Sequence, residues 1–95
     1  MNFEVEEVVR QYQITIPVER GLVKLSARII KHRDTEHYSY VTSQLFKEVG
    51  AADYYSPGAG ASSIEQTEDK MFEYLKKFEE AVCNGALTTG NILFW

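Results

Sequence analysis

One cysteine and two prolines are all that this 95-residue chain carries of the residues that staple or stiffen small proteins. A lone thiol, Cys83, excludes an intrachain disulfide framework, so the core itself must hold the fold, and a reducing compartment such as the cytoplasm is expected. No apolar run approaches membrane-spanning length. The opening Met1-Asn2-Phe3-Glu4-Val5-Glu6-Glu7 is acidic where a signal peptide would be positive, so a soluble, non-exported protein without a membrane partner is predicted. An excess of positive charge is also missing. A formal net charge of -4 disfavours a generic binder of phosphate backbones, whose affinity comes from Lys and Arg.

What is present suffices for one compact domain over 1–95: 44% hydrophobic and 13% aromatic residues, near the lower size limit for an unaided core. Charge is unevenly placed. Arg10, Arg20, Lys24, Arg28, Lys31 and Arg33 face a single acid, Glu19, between residues 8 and 33, and the remainder of the chain is strongly acidic.

Tyr12, Ile14, Ile16 and Val18 alternate with Gln11, Gln13, Thr15 and Pro17, the period-two pattern of a half-buried strand. Pro17 cannot donate to a ladder and marks this strand as an edge. Leu22 to Arg33 alternates in the opposite parity, with Val23, Leu25, Ala27 and Ile29 on its apolar side. The two apolar sets share a face only if even positions oppose odd ones, as with Ile16 opposite Leu25 and Ile14 opposite Ala27. A third strand, His37 to Phe46, follows the polar turn Asp34-Thr35-Glu36; Arg33 opposite His37 would set Ile29 beside Val41 and Leu25 beside Leu45.

Residues 47–63 read as a long Gly/Ala/Ser-rich loop, with a short helix near 47–54 as an option. A helix over 64–84 is the clearest element. Ser62 and Ser63 precede Glu65 and Gln66 at capping-box spacing, Ile64, Met71, Leu75, Phe78 and Val82 form one stripe, and Asn84-Gly85 stops it. The small Ala27 and Ser43 leave room for that stripe on the sheet. The tail, 85–95, ends in Asn91-Ile92-Leu93-Phe94-Trp95 and offers a short fourth strand at an edge. The predicted class is α+β: a three-stranded antiparallel meander over 1–46 with one amphipathic helix packed on one face.

The opposite face is expected to display Lys24, Arg28, Ile30 and His32 beside Tyr38 and Tyr40, a basic, tyrosine-rich surface fit for contact. Phe94 and Trp95 add an aromatic tail. These eight residues are the predicted contact residues. The expected partner is another protein, with a homodimer as one form of that contact, and stacking of nucleic-acid bases on Tyr38 or Tyr40 is the second choice.

Chemistry has fewer footholds. His32 and His37 would point to opposite faces, which defeats shared metal ligation, so no metal is expected. Gly58-Ala59-Gly60-Ala61-Ser62-Ser63 precedes a helix but lacks the Gly-Lys-Ser/Thr ending of a phosphate loop, and no cofactor is expected. Cys83 near a helix C-terminus reads as a packing residue, since the dipole there disfavours a thiolate. With no nucleophile and base paired by the sequence, the expectation is a non-enzymatic regulator or inhibitor; an enzyme using 47–63 as a lid is the remaining alternative.

Overall fold

The computed structural model describes residues 5–19 and 21–94. It is α+β. Strands β1 (Glu6–Val18), β2 (Gly21–His32) and β3 (His37–Thr42) form an antiparallel sheet in that order. β4 (Gln44–Lys47) and β5 (Leu87–Gly90) form a second, two-stranded antiparallel sheet, and α1 (Ile64–Cys83) packs against both before a 3-10 turn at Ile92–Phe94.

The first hairpin keeps the predicted parity but not the predicted offset. Ile14 lies opposite Leu25 and Tyr12 opposite Ala27, two residues from the expected pairing, because Val18 pairs with Gly21 and leaves only two residues for the turn. Gly21 there adopts φ +145, which side chains other than hydrogen rarely tolerate. Near the other end a bulge between Val8 and Arg10 turns both Val9 and Arg10 toward the helix and sets Glu6 opposite His32.

The third strand departs further. The turn comprises four residues, Arg33 to Glu36, with Glu36 at φ +51, so His32 rather than Arg33 faces His37. That shift of one residue reverses every side chain of β3. Tyr38, Tyr40 and Thr42 join the helix side, with Tyr40 opposite Ile29, while His37, Ser39 and Val41 turn outward. The strand also ends early. Ser43 donates its N–H to Ser26 O at 2.8 Å and accepts from Ser26 N–H at its Oγ, after which the chain leaves the sheet and β4 pairs with β5 instead. Leu45 accordingly does not lie beside Leu25.

α1 follows its sequence signals. Ser63 is the N-cap and accepts from Gln66 N–H, Asn84 is the C-cap, and Gly85 takes φ +88 beyond it. Its buried side includes Met71, Leu75, Phe78 and Val82 as expected, plus Tyr74 and Ala81. These meet Ile16, Leu25, Ala27, Ile29, Tyr40 and Phe46 in one core cluster. Cys83, read as a packing residue, is exposed, since it falls past the stripe.

The 47–63 segment contains no helix at 47–54; a turn closed by Ala51 N–H to Glu48 O, with Gly50 at φ +84, breaks it. The rest is docked. Tyr55 bridges to Phe46 and stacks on both it and Tyr74, and Ala61 O accepts from Tyr38 N–H at the edge of β3. The would-be phosphate loop is therefore a strap: Gly60 O also accepts from Lys70 and Ala61 N–H donates to Thr67 Oγ1. Residues 92–94 form a turn, not an edge strand, because Asn91 Oδ1 accepts from Leu93 N–H while Asn91 Nδ2 donates to Thr42 O. Among the described residues, no helix is long and apolar enough to cross a membrane.

Candidate functional site

The face of the sheet turned away from α1 is built by alternation. Gln11, Gln13 and Thr15 of β1, Lys24, Ser26, Arg28, Ile30 and His32 of β2, and His37, Ser39 and Val41 of β3 share it. Tyr38 and Tyr40 do not. Tyr40 is 8% exposed on the other side, its hydroxyl accepting from Gly58 N–H at 3.0 Å, and burial raises its pKa despite that bond. Tyr38 is half-buried against the core and tied to the strap. The expected basic and tyrosine-rich face thus loses its tyrosines to the four-residue turn before β3.

Its cations are also partly engaged. Arg28 donates from Nε to Gln11 Oε1 at 3.2 Å and from Nη1 to Phe94 O at 3.0 Å, and its guanidinium sits 3.9 Å from the Phe94 ring centroid. Phe94 is 4% exposed as a result. The sheet face and the aromatic tail, which the sequence presents as two surfaces, are one. Trp95 lies outside the described residues. Lys24 remains exposed, with its carbonyl accepting from Gln44 Nε2, and Gln13 accepts from Ser26 Oγ.

Pinning Phe94 and Asn91 lifts the two residues between them. Ile92 and Leu93 are each 84% exposed, the most exposed large apolar side chains among the described residues. Leu93 borders a groove of about 230 Å³ lined by Val41, Leu45, Pro57 and Asn91. The sequence signal is the apolar run after Gly90-Asn91, which by itself points to a short strand.

A second arrangement lies at the far end of the same face. His32 Nε2 is 2.8 Å from Ser39 Oγ, and His32 Nδ1 is 3.6 Å from Glu6 Oε1. Carboxylate, imidazole and hydroxyl stand in the order used for nucleophilic catalysis. Sequence alone cannot find this row, because the bulge near Val9 is what brings Glu6 opposite His32. Ile30 lies beside it, half-buried across from Val8. His32 and His37, expected on opposite faces, are direct cross-strand neighbours, yet no three metal-ligating side chains converge among the described residues.

Comparison with protein-family models, curated proteins and solved structures finds no match to this chain.

Proposed function

We propose that this chain is a small non-enzymatic regulator or inhibitor that binds another protein through the ridge of Ile92 and Leu93 on the outer side of the sheet. One observation carries the reading: two large apolar side chains are held in water by a turn that Asn91 and Phe94 fix from either side. Exposed apolar groups on a preorganised support mark contact sites, because their burial releases water without a large ordering cost. The adjoining Val41–Leu45–Pro57 groove provides a recess for a partner side chain, and exposed Lys24 on the same face favours an acidic rim on that partner.

Nucleic-acid binding receives no comparable support, because the rings on which bases would stack, Tyr38 and Tyr40, face the helix side. Native affinity capture with the wild-type chain and with an Ile92→Ser/Leu93→Ser variant tests the proposal. The variant is expected to fold with an unchanged melting temperature and to lose its partner by 10-fold or more, roughly the effect of truncating two interface anchors. Equal capture by both proteins, or none by either, removes the ridge as a contact site.

A further inference from the structure

The three-stranded sheet has two edges, and among the described residues only one carries a cover. The strap lies on β3 at Tyr38, whose N–H donates to Ala61 O. β1 has no such cover. Ser43 bonds to Ser26, so the even residues of β2 address β3 and its odd residues address β1. By alternation Tyr12, Ile14 and Ile16 hold β2, while the N–H groups of Gln11, Gln13 and Thr15 point away from the sheet, with no backbone partner among the described residues.

This open ladder is bounded on both sides. The bulge at Val9 interrupts it at one end, and Pro17, which has no N–H, closes it at the other. The midpoint between the two stops is Gln13. A strand that pairs with itself about a two-fold axis requires such a symmetric window, whereas a foreign strand does not.

Beside the edge runs a groove of about 270 Å³ between β1 and α1, lined by Ile14, Ile16, Phe72 and Leu75 with Lys76 and Glu79 at its rim. Phe72 is exposed and meets Tyr12 edge-on at 5.9 Å. α1 runs in the same direction as β1, since Glu68 contacts Arg10 and Tyr12 while Leu75 to Glu79 flank Ile14 and Ile16.

We infer that β1 pairs antiparallel with β1 of a second copy about a two-fold axis at Gln13, joining two sheets into one of six strands. Gln11 then faces Thr15 of the second copy, and the pairs at 11, 13 and 15 supply about six backbone hydrogen bonds. Each Pro17 falls opposite the other copy's bulge, where no ladder bond is required. On the helix side Tyr12 of each copy lies beside Ile14 of the other and fills the groove. The antiparallel helices bring Phe72 nearest the axis and Lys76 toward Glu68 of the second copy, so charges as well as shape are self-complementary. This contact extends the protein-binding reading to a second surface, remote from Ile92 and Leu93, and stands apart from it.

Sedimentation equilibrium of the full chain from about 1 μM to 1 mM, a span of roughly 4 kcal/mol in association free energy, is the first test. The mass is expected to rise from 10.9 kDa to twice that value. In a Cys83→Ser background, Gln13→Cys is expected to oxidise to a disulfide-linked dimer, since the axis sets the two Cα atoms about 5.5 Å apart, and Leu22→Cys at the hairpin tip is not. Gln13→Pro removes an outward N–H and should weaken association at least 10-fold. Should that proline disturb the fold, Gln11→Lys/Thr15→Lys sets like charges opposite each other across the axis and should do the same. A monomer at every concentration, or a dimer that neither cross-links at 13 nor responds to these variants, overturns the inference. If a monomeric wild type still captures a partner through Ile92 and Leu93, self-pairing alone fails; if a dimer captures nothing, the ridge alone fails.

Discussion

The carbonyl oxygen of Tyr38 occupies the space that a side chain on Gly60 would need: a Cβ there would stand 1.9 Å from it. Gly60 is what lets the strap lie against β3 closely enough for Ala61 to accept from Tyr38 N–H. Gly60→Ala must push backbone away from backbone, and a loss of about 2–3 kcal/mol is expected, at the upper range for overpacking. Gly58→Ala is the control, since its Cβ would meet only Tyr40 Oη at 3.6 Å, and a change within about 0.5 kcal/mol is expected. Thermal melts of the two variants check both values; equal melting temperatures would show that the strap is not seated there.

Arg28 and Phe94 give a second stability prediction. Arg28→Lys keeps the charge but loses the flat guanidinium over the ring and the paired bonds to Gln11 and Phe94 O. A loss of about 1 kcal/mol is expected, with a coupling on the order of 0.5–1 kcal/mol between Arg28→Ala and Phe94→Leu in a double-mutant cycle. Additive effects would mean that the two residues act independently.

The helix and the first hairpin face were legible because both rest on local rules. Ser63, the apolar stripe and Asn84-Gly85 specify α1 without reference to the rest of the chain, and alternation puts Tyr12, Ile14 and Ile16 with Leu25 and Ala27 at any offset that sets even positions opposite odd ones. Tyr38 and Tyr40 were misplaced for a different reason: composition cannot decide whether Arg33 belongs to the strand or the turn, and tyrosine suits either side of a sheet. The departure at Ser43 was hidden by alternation that continues through Leu45 and Phe46, so the β4–β5 sheet was not visible. At the candidate site Arg28 and Phe94 were both named, but their contact depends on the Asn91 turn. Ile92 and Leu93 were assigned to the strand option that this turn replaces.

The row of Glu6, His32 and Ser39 offers a direct test of the non-enzymatic reading. The N–H groups of His32, His37 and Ser39 belong to the β2–β3 ladder and are not free to hold an oxyanion. Incubation with p-nitrophenyl acetate is expected to release nitrophenol at the same rate from wild type and Ser39→Ala, with no acetyl mass on Ser39. An acetylated Ser39 that disappears in His32→Ala would establish a nucleophile and contradict the non-enzymatic reading.

Acid should loosen the contact between β1 and α1. Glu68 accepts from the Tyr12 hydroxyl and from Arg10, and these bonds, Tyr12 first, hold its pKa below the ordinary 4.5. A carboxylate with a lowered folded pKa stabilises fully above its unfolded value, and that contribution fades as pH falls through the folded one. Wild type should therefore exceed Glu68→Gln in melting temperature at neutral pH, with the gap closing in acid. Because the pair is at the surface, the gap should also shrink in high salt. A gap that is constant with pH would detach Glu68 from the effect.

Alkali should act on the core, with the opposite sign. Burial raises the pKa of Tyr40 and Tyr74 above the ordinary 10.0, and the Tyr74 hydroxyl donates to Tyr55 O at 2.7 Å, a bond that the phenolate could not make. A neutral group favoured by the fold contributes fully below its unfolded pKa and is lost as pH rises through the folded value. The core should therefore fail as pH climbs past about 10, and the share of tyrosinate absorbance that Tyr40 and Tyr74 contribute should rise together with the loss of circular dichroism, because these two rings ionise only when the cluster around Phe46 opens. Tyr74→Phe removes the titrating group and leaves Tyr55 O without its donor. It should cost about 1 kcal/mol at neutral pH and shift alkaline unfolding to higher pH. Tyrosinate absorbance near pH 10 that is lost in Tyr40→Phe/Tyr74→Phe, with the helix signal unchanged in the wild type, would place Tyr40 and Tyr74 in water and contradict the core described here.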